Sequence, residues 1–313
     1  MRQYEKVLET IRTAVLNGGI KSGDKLPSIR GLSEQLHLSN ASVIKAYQVL
    51  EASHSVYVIP KSGYYWMEQP PEIANEMAYI DFTKMHPDKN LIPFREFQHC
   101  LDQSIAHYKR ELFCYGPTSG LPSLLIALQN HLAKRQIFCD AHSIVITSGS
   151  QQALALLATT DFENGRNEIL VEQPSYGVFQ SLHALNGIPM TGISRTENGL
   201  DFKMLESAMK TGRFKCFYTI PRCHNPLGTS LTEKEKQRLV ALAAKYQVYI
   251  IEDDYLADLS YGSKSMPLYY YDTHQMVIYV KSFSKAFLPG IRLGLAVMPP
   301  KRLSAFTKQK KVL

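Results

Sequence analysis

The stretch Tyr279 to Gly294, YVKSFSKAFLPGIRLG, gathers residue types able to do covalent chemistry. Lys285 stands between a strand-like run, Met276 to Val280, and a Pro-Gly turn. A lysine that is buried or flanked by other cations has a lowered pKa, and its neutral amine condenses with an aldehyde to give a Schiff base. Ser282 and Ser284 bring two hydroxyls, and Arg292 follows with a planar fork of donors suited to phosphate. Together they describe a site for an aldehyde that carries a phosphate. A bare Ser-Lys pair is more often an ordinary surface loop, so the reading depends on what lies upstream.

Four upstream groups bear on it. Ser148-Gly149-Ser150-Gln151 falls between a predicted strand and a predicted helix, where a small-residue turn offers backbone N–H groups and the positive end of the helix to a phosphate. Tyr176, in EQPSY, has a ring able to stack on a flat heteroaromatic molecule, although taken singly it reads as a core tyrosine. Asn225, in CHNPLG, carries an amide able to donate to a phenolate oxygen, and N-P-x-G is also a turn signal. In IIEDDY (Ile250 to Tyr255) a hydrophobic strand ends in acids. A carboxylate there keeps a pyridine nitrogen protonated, a role given to Asp253, with Tyr255 bonding the phenolate oxygen. Glu252 and Asp254 then point to the other faces of the strand end.

The elements that must hold these groups alternate. Leu121 to Arg135, Gln151 to Ala158 and Glu233 to Tyr246 have helical periodicity; Ser143 to Thr147, Glu168 to Val171, Phe214 to Ile220, Val248 to Ile251 and Val277 to Val280 are short apolar strands. This predicts an α/β domain with a mainly parallel sheet, whose ligands sit at the carboxyl ends of the strands.

Taken in order, G-S-Q, P-x-Y, N-P-x-G, D-x-Y and S-x-S-K-x-x-x-P-G-x-R-x-G resemble the cofactor cradle of the fold-type I, aspartate-aminotransferase-like enzymes. The resemblance implies pyridoxal 5'-phosphate (PLP) as cofactor, linked to Lys285 as an aldimine. It implies that Gly149, Ser150, Gln151, Tyr176, Asn225, Asp253, Tyr255, Ser282, Ser284 and Arg292 surround it. Tyr115, in YGPTSGL, is similar to the tyrosine this family sends to the neighbouring subunit's phosphate, which implies a homodimer with shared sites. The chain departs from the family's pattern at Leu125, His224 and Leu227, none of which would touch the cofactor.

Residues 1–67 read differently. Tyr4, Val7, Leu8, Ile11, Val15 and Leu16 predict a helix closed by Asn17-Gly18-Gly19. Pro27-Ser28 opens a second short helix, and Ser39 or Asn40 caps a third. Val56 to Ile59 and Tyr64 to Met67, joined by Pro60-Lys61-Ser62-Gly63, predict a β-hairpin. G-x-x-K-x-G-D-K-L-P-S-I-R (Gly18 to Arg30), S-N-A-S-V-I-K-A-Y (Ser39 to Tyr47) and K-S-G-Y (Lys61 to Tyr64) resemble the GntR-type winged helix-turn-helix. That implies double-stranded operator DNA as partner. Arg30 and Lys45 would meet phosphates, Ser39, Asn40 and Ser42 would lie at the start of the recognition helix facing base edges, and Lys61 on the wing would reach the minor groove. Asn40 stands where the family has a basic residue, and His54-Ser55 replaces a glycine turn. Eight Lys and Arg face five acids up to Met67, a mild excess that calls for dimeric presentation on DNA.

Residues 68–78, EQPPEIANEMA, read as a polar linker, and 79–313 as the aminotransferase-like domain. A GntR-type reader joined to such a domain resembles the MocR family of bacterial regulators. There the PLP domain senses a small amino compound, or PLP itself, and shifts how the DNA-reading heads are spaced. Family members continue into a smaller domain on the order of a hundred residues that supplies the arginine for a substrate carboxylate. The chain is therefore expected to lack that domain, to leave the helix near Lys301 without its packing partner, and to sustain no steady transamination. A working aminotransferase with an appended reader and a cofactor-free remnant that binds only DNA remain alternatives.

Composition narrows the setting. The 313 residues are 45% hydrophobic, enough for two domains with real cores, and the formal charge of +7 alone says little about nucleic acid. Five dispersed cysteines (100, 114, 139, 216, 223) give neither a disulfide framework nor a zinc site, and no metal is expected. No apolar run has membrane-spanning length and the N-terminus is charged, so the expected location is the cytoplasm.

Overall fold

The chain opens with α1 (Gln3–Leu16), which buries Val7 and Ile11. The computed structural model describes residues 3–53, 55–59, 62–67, 91–259 and 265–312. They divide into two compact units, 1–108 and 109–313. Lys61 and the expected linker 68–78 lie outside the described residues.

In the first unit, α2 (Ile29–Leu36) starts where the Ser28 hydroxyl accepts from Gly31 N, and α3 (Asn40–Ala52) where the Ser39 hydroxyl accepts from Ser42 N. Each cap satisfies a donor that the first helical turn leaves unpaired. Strands β1 (Val56–Ile59) and β2 (Gly63–Trp66) form the antiparallel wing. The turn before α2 joins the wing: Leu26 N donates to Tyr64 O at 2.8 Å and Trp66 N to Asp24 O at 2.9 Å. Val7, Ile11, Leu32, Val43, Tyr47, Leu50 and Trp66 make the core. Tyr47 Oη donates to Pro27 O at 2.6 Å. Helix α4 (Phe94–Tyr108) completes this unit, with the His99 ring 4.9 Å from that of Tyr57.

The second unit runs α5 (Pro122–Ala133), β3 (Ile144–Ser148), α6 (Gly149–Thr159), β4 (Glu168–Gln173), α7 (Gly177–Asn186), β5 (Met190–Thr196), β6 (Gly199–Leu200), α8 (Phe202–Lys210) and β7 (Phe214–Thr219). It continues with α9 (Glu233–Tyr246), β8 (Tyr249–Asp253), α10 (Leu268–Tyr271), β9 (Val277–Ser282), β10 (Leu293–Val297) and α11 (Pro300–Val312). Among the described residues the eight strands lie in the order β3-β10-β9-β8-β7-β4-β5-β6. Every residue of β7, β8 and β9 is buried, as expected of central strands covered on both faces. Helix α9 begins with a reciprocal Thr232–Glu235 capping box.

Two features differ from expectation. The sheet is mainly parallel, but β10 runs antiparallel to both β3 and β9 and sits between them. Its LGLAV run begins at the closing Leu293-Gly294 of the lysine motif and extends past it, and antiparallel insertion there leaves no signature in helix–strand alternation. The helix near Lys301 also keeps a partner. In α11, Phe306 is fully buried, Arg302 stacks 4.3 Å over the Phe162 ring, and Gln309 Nε2 donates to Thr159 Oγ1 of α6 at 2.7 Å.

Strand register then sorts the side chains. Asp253 pairs with Val280 and Ser282 with Gly294, so Asp253, Ser282 and Gly294 share one face of the sheet, while Glu252, Asp254, Tyr279 and Lys281 share the other.

Candidate functional site

The candidate cradle lies at the carboxyl ends of β3, β8 and β9. At the end of β3 the chain enters α6 directly, and Gly149 takes a left-handed φ of +72°. That φ strains any residue with a Cβ, and a Cβ there would also stand 2.9 Å from Arg292 Nη2, so glycine suits the position and the guanidinium above it. Gly294 is held more tightly: its Cβ would lie 2.5 Å from the Gly149 carbonyl carbon and 2.7 Å from Ser150 N.

Arg292 Nη1 donates to Ser284 Oγ and Nη2 to Gln151 Oε1, each at 3.4 Å. Gln151 Nε2 in turn donates to Tyr176 Oη at 3.1 Å. Ser282 Oγ accepts from Ser284 N at 3.2 Å and shapes the turn that carries Lys285. Gly149, Ser150, Gln151, Tyr176, Ser282, Ser284 and Arg292 are thus brought together around the positive end of α6. Backbone N–H groups, two hydroxyls and a guanidinium converge there, a donor set for a phosphate.

Asp253 ends β8, nearly fully buried. Its Oδ2 accepts from Tyr218 Oη at 2.8 Å, while Oδ1 is buried with no hydrogen-bond partner among the described residues. Burial pushes the carboxyl up to about 7, against the lowering by the Tyr218 hydrogen bond and with Asp254 adding to the rise. A buried carboxylate oxygen without a donor is costly, and a protonated ring nitrogen supplies both the missing hydrogen bond and the missing charge. By that test the residues fit PLP. Asp253 Oδ1 would take the ring N–H, the half-buried Tyr176 ring would lie along the cofactor, and the Arg292 cluster would take the phosphate.

Several residues differ in detail from expectation. Lys285 is exposed in the turn after β9 rather than buried. Tyr255 Oη donates to Cys223 O at 3.1 Å, which ties the Asp253 loop to the Asn225 loop rather than leaving the hydroxyl open. Asn225 is half-buried at a cis peptide with Pro226, and Tyr115 is fully exposed. Among the described residues, no His, Cys, Asp or Glu group of three or more is placed to hold a metal.

Sequence reasoning missed the groups that support the cradle. Tyr218 fixes Asp253 and stacks on Phe179, with ring centroids 4.0 Å apart. Its signal was a hydroxyl inside a fully buried strand, which has to find a partner. On the opposite face, fully buried Glu172 pairs with Arg195, lies 3.2 Å from His224 Nε2, and accepts from Thr219 Oγ1 at 2.8 Å and Ile220 N at 2.9 Å. This knot anchors the starts of both the Tyr176 and the Asn225 loops. Glu252 accepts from Leu268 N and Tyr269 N, and Asp254 pairs with Arg222 and accepts from Tyr279 Oη, so both acids are structural.

In the first unit Arg30, Asn40 and Lys45 are exposed, and Arg30 Nε meets Glu34 Oε1 at 3.1 Å. Ser39 is spent as the cap of α3, and the Ser42 hydroxyl donates to Gln3 Oε1 at 2.9 Å. Those two serines therefore fix the helix start, whereas Ala41, Ile44 and Gln48, passed over in the sequence, are exposed beside Asn40 and Lys45.

No helix of the described residues is long and apolar enough to cross a membrane.

The comparisons agree with this two-part architecture. The family model for aminotransferase class I and II matches residues 86–312, and that for bacterial regulatory proteins of the gntR family matches residues 3–65. The chain is 45% identical over its whole length to the HTH-type transcriptional regulator YcxD of Bacillus subtilis, spanning 70% of that protein. It is 24% identical over 97% of its length to the probable rhizopine catabolism regulatory protein MocR of Rhizobium meliloti, spanning 67% of it. Among solved structures, the kynurenine aminotransferase of Pyrococcus horikoshii superposes with a TM-score of 0.65 at 30% identity, over 71% of this chain and 56% of that one. A gntR-type reader joined to a class I and II aminotransferase domain, with these relatives, places the chain in the MocR-type family of GntR regulators.

Proposed function

We propose that the chain is a DNA-binding transcriptional regulator whose aminotransferase-like domain holds PLP through Lys285 and so senses the cofactor or a small amino compound. The observation that carries the cofactor half is Asp253, whose buried Oδ1 has no donor among the described residues while Oδ2 is fixed by Tyr218. When bound, PLP supplies an aldehyde for the lysine amine and a ring that takes up electrons. The chain's own residues do the rest. Asp253 holds a proton at the ring nitrogen, Arg292, Ser284 and the first turn of α6 hold the phosphate, and the Gln151–Tyr176 bond fixes the stacking ring.

The DNA half rests on α3, an exposed helix presented by a capped helix-turn-helix and a wing, and on the gntR match. Double-stranded operator DNA is the partner, and a homodimer presenting two such heads supplies the affinity that one mildly basic head lacks. The reader comprises residues 1–67, and the cytoplasm is the site of action. Likeness to a kynurenine aminotransferase favours a second reading, a working aminotransferase with a DNA reader attached.

Absorbance of the purified chain with PLP, followed by borohydride reduction and peptide mass spectrometry, tests the first half. A pyridoxyl adduct on Lys285 is expected, and an unmodified Lys285 would sink it. Steady turnover of an amino acid with a keto acid would favour the second reading.

A further inference from the structure

On α3 the sequence NASVIKAYQVLEA buries Val43, Ala46, Tyr47 and Leu50. At about 100° per residue these cluster on one side of the helix, and Ala41, Ile44, Lys45 and Gln48 fall within an arc of about 100° on the other. All four are exposed, and Ile44 keeps 38% of its surface open. Asn40 is exposed at the edge of this arc in the first turn. The outward face therefore has an apolar centre of Ala41 and Ile44, an amide at each end, and Lys45 as the one basic residue of the helix.

Such a face has a chemical complement. The thymine C5 methyl is the apolar group that the major groove offers, and adenine presents the N6–H and N7 pair that matches a side-chain amide. Guanine is read chiefly by arginine or lysine; α3 has no arginine, and its one lysine, Lys45, is the residue assigned to a phosphate. Because the serines are occupied by Gln3 and by capping, they add little to base discrimination. We propose that Ile44 and Ala41 select thymine through its methyl group, and that Gln48 and Asn40 select adenine, so each half-site is read as an A·T core.

This inference rests on the DNA-binding reading above and deepens it. The test uses the full chain with a randomised duplex library, followed by synthetic duplexes of the enriched sequence in which single thymines are replaced by deoxyuridine, which removes only the methyl. The expected result is a half-site with an A·T core in which one deoxyuridine weakens binding by about 3- to 10-fold. In Ile44→Ala that penalty is expected to shrink to within about 2-fold, and Gln48→Ala is expected to relax the choice at adenine. Ile44 is exposed, so Ile44→Ala should melt like the parent chain. An enriched half-site with a G·C core, or a deoxyuridine penalty unchanged in Ile44→Ala, would overturn the proposal while leaving DNA binding intact. Enrichment of no sequence at all would overturn the DNA-binding reading and this inference with it.

Discussion

Tyr218 donates to Oδ2 of Asp253 at 2.8 Å and leaves Oδ1 buried and, among the described residues, unpaired. Burial holds this carboxyl at about 7 in the folded chain. An unfolded aspartate titrates near about 4. Between those values the folded chain keeps a proton that the unfolded chain has lost, so the stability of the cofactor-free protein falls as pH rises through that window. Glu252, also raised to about 7 by burial, adds a slope of the same sign, so in Asp253→Asn the slope should become shallower, with a gain on the order of 4 kcal/mol at pH 8. Urea denaturation at several pH values measures it, and parallel curves for the two proteins would refute the assignment. PLP binding in this variant should weaken at the same time.

Lys285 is exposed, so Lys285→Ala should leave stability within about 0.5 kcal/mol of the parent. The same variant should lose the borohydride-stable adduct. A persisting adduct would move the reactive amine to another lysine.

The Gly294 backbone touches that of Gly149, whereas a Cβ on Gly290, in the same turn region, meets nothing within 4 Å. Gly294→Ala should therefore cost about 1–3 kcal/mol through overpacking and displace the first turn of α6, and Gly290→Ala should be near neutral. Thermal melting of the two variants side by side decides it.

Glu172 and Arg195 form a fully buried pair. Glu172→Ala strands the guanidinium and should cost about 3–5 kcal/mol, whereas replacing both residues with methionine should recover only part of that loss, because Thr219 Oγ1 and Ile220 N still lack their acceptor. Chemical denaturation of the single and double variants provides the check.

Arg30 is 87% exposed in its side chain and is steadied by Glu34. As a phosphate contact, its loss in Arg30→Ala should weaken duplex binding across sequences and lower the salt dependence by about one counterion, with no change in the cofactor spectrum. An unchanged salt slope would remove Arg30 from the interface.

The two-part plan was legible because each half announces itself locally. Ser28 and Ser39 mark helix starts, Gly149 to Gln151 follow a strand directly, and Asp253 ends a hydrophobic run. The supporting groups were not legible, since what identifies them is register across strands. Tyr218 matters because it shares a face with Asp253, and Glu172 because three separate segments return to it. Strand β10 was hidden for the same reason, as its place between β3 and β9 is set by pairing and not by local sequence. On α3 the outward arc was available from periodicity, whereas the bond from Ser42 to Gln3 was not, because it depends on how α1 packs beside α3.

The end of β8 carries three acids in a row with three separate sets of partners. A slip of a single residue would turn Asp253 toward Arg222 and present Glu252 or Asp254 to Tyr218. The pairing of β8 with β9 therefore works as a reading frame. Which carboxylate would meet a ring nitrogen is chosen by how the strand is threaded, so an insertion or deletion far along β8 or β9 would displace Asp253 without altering any residue of the cradle.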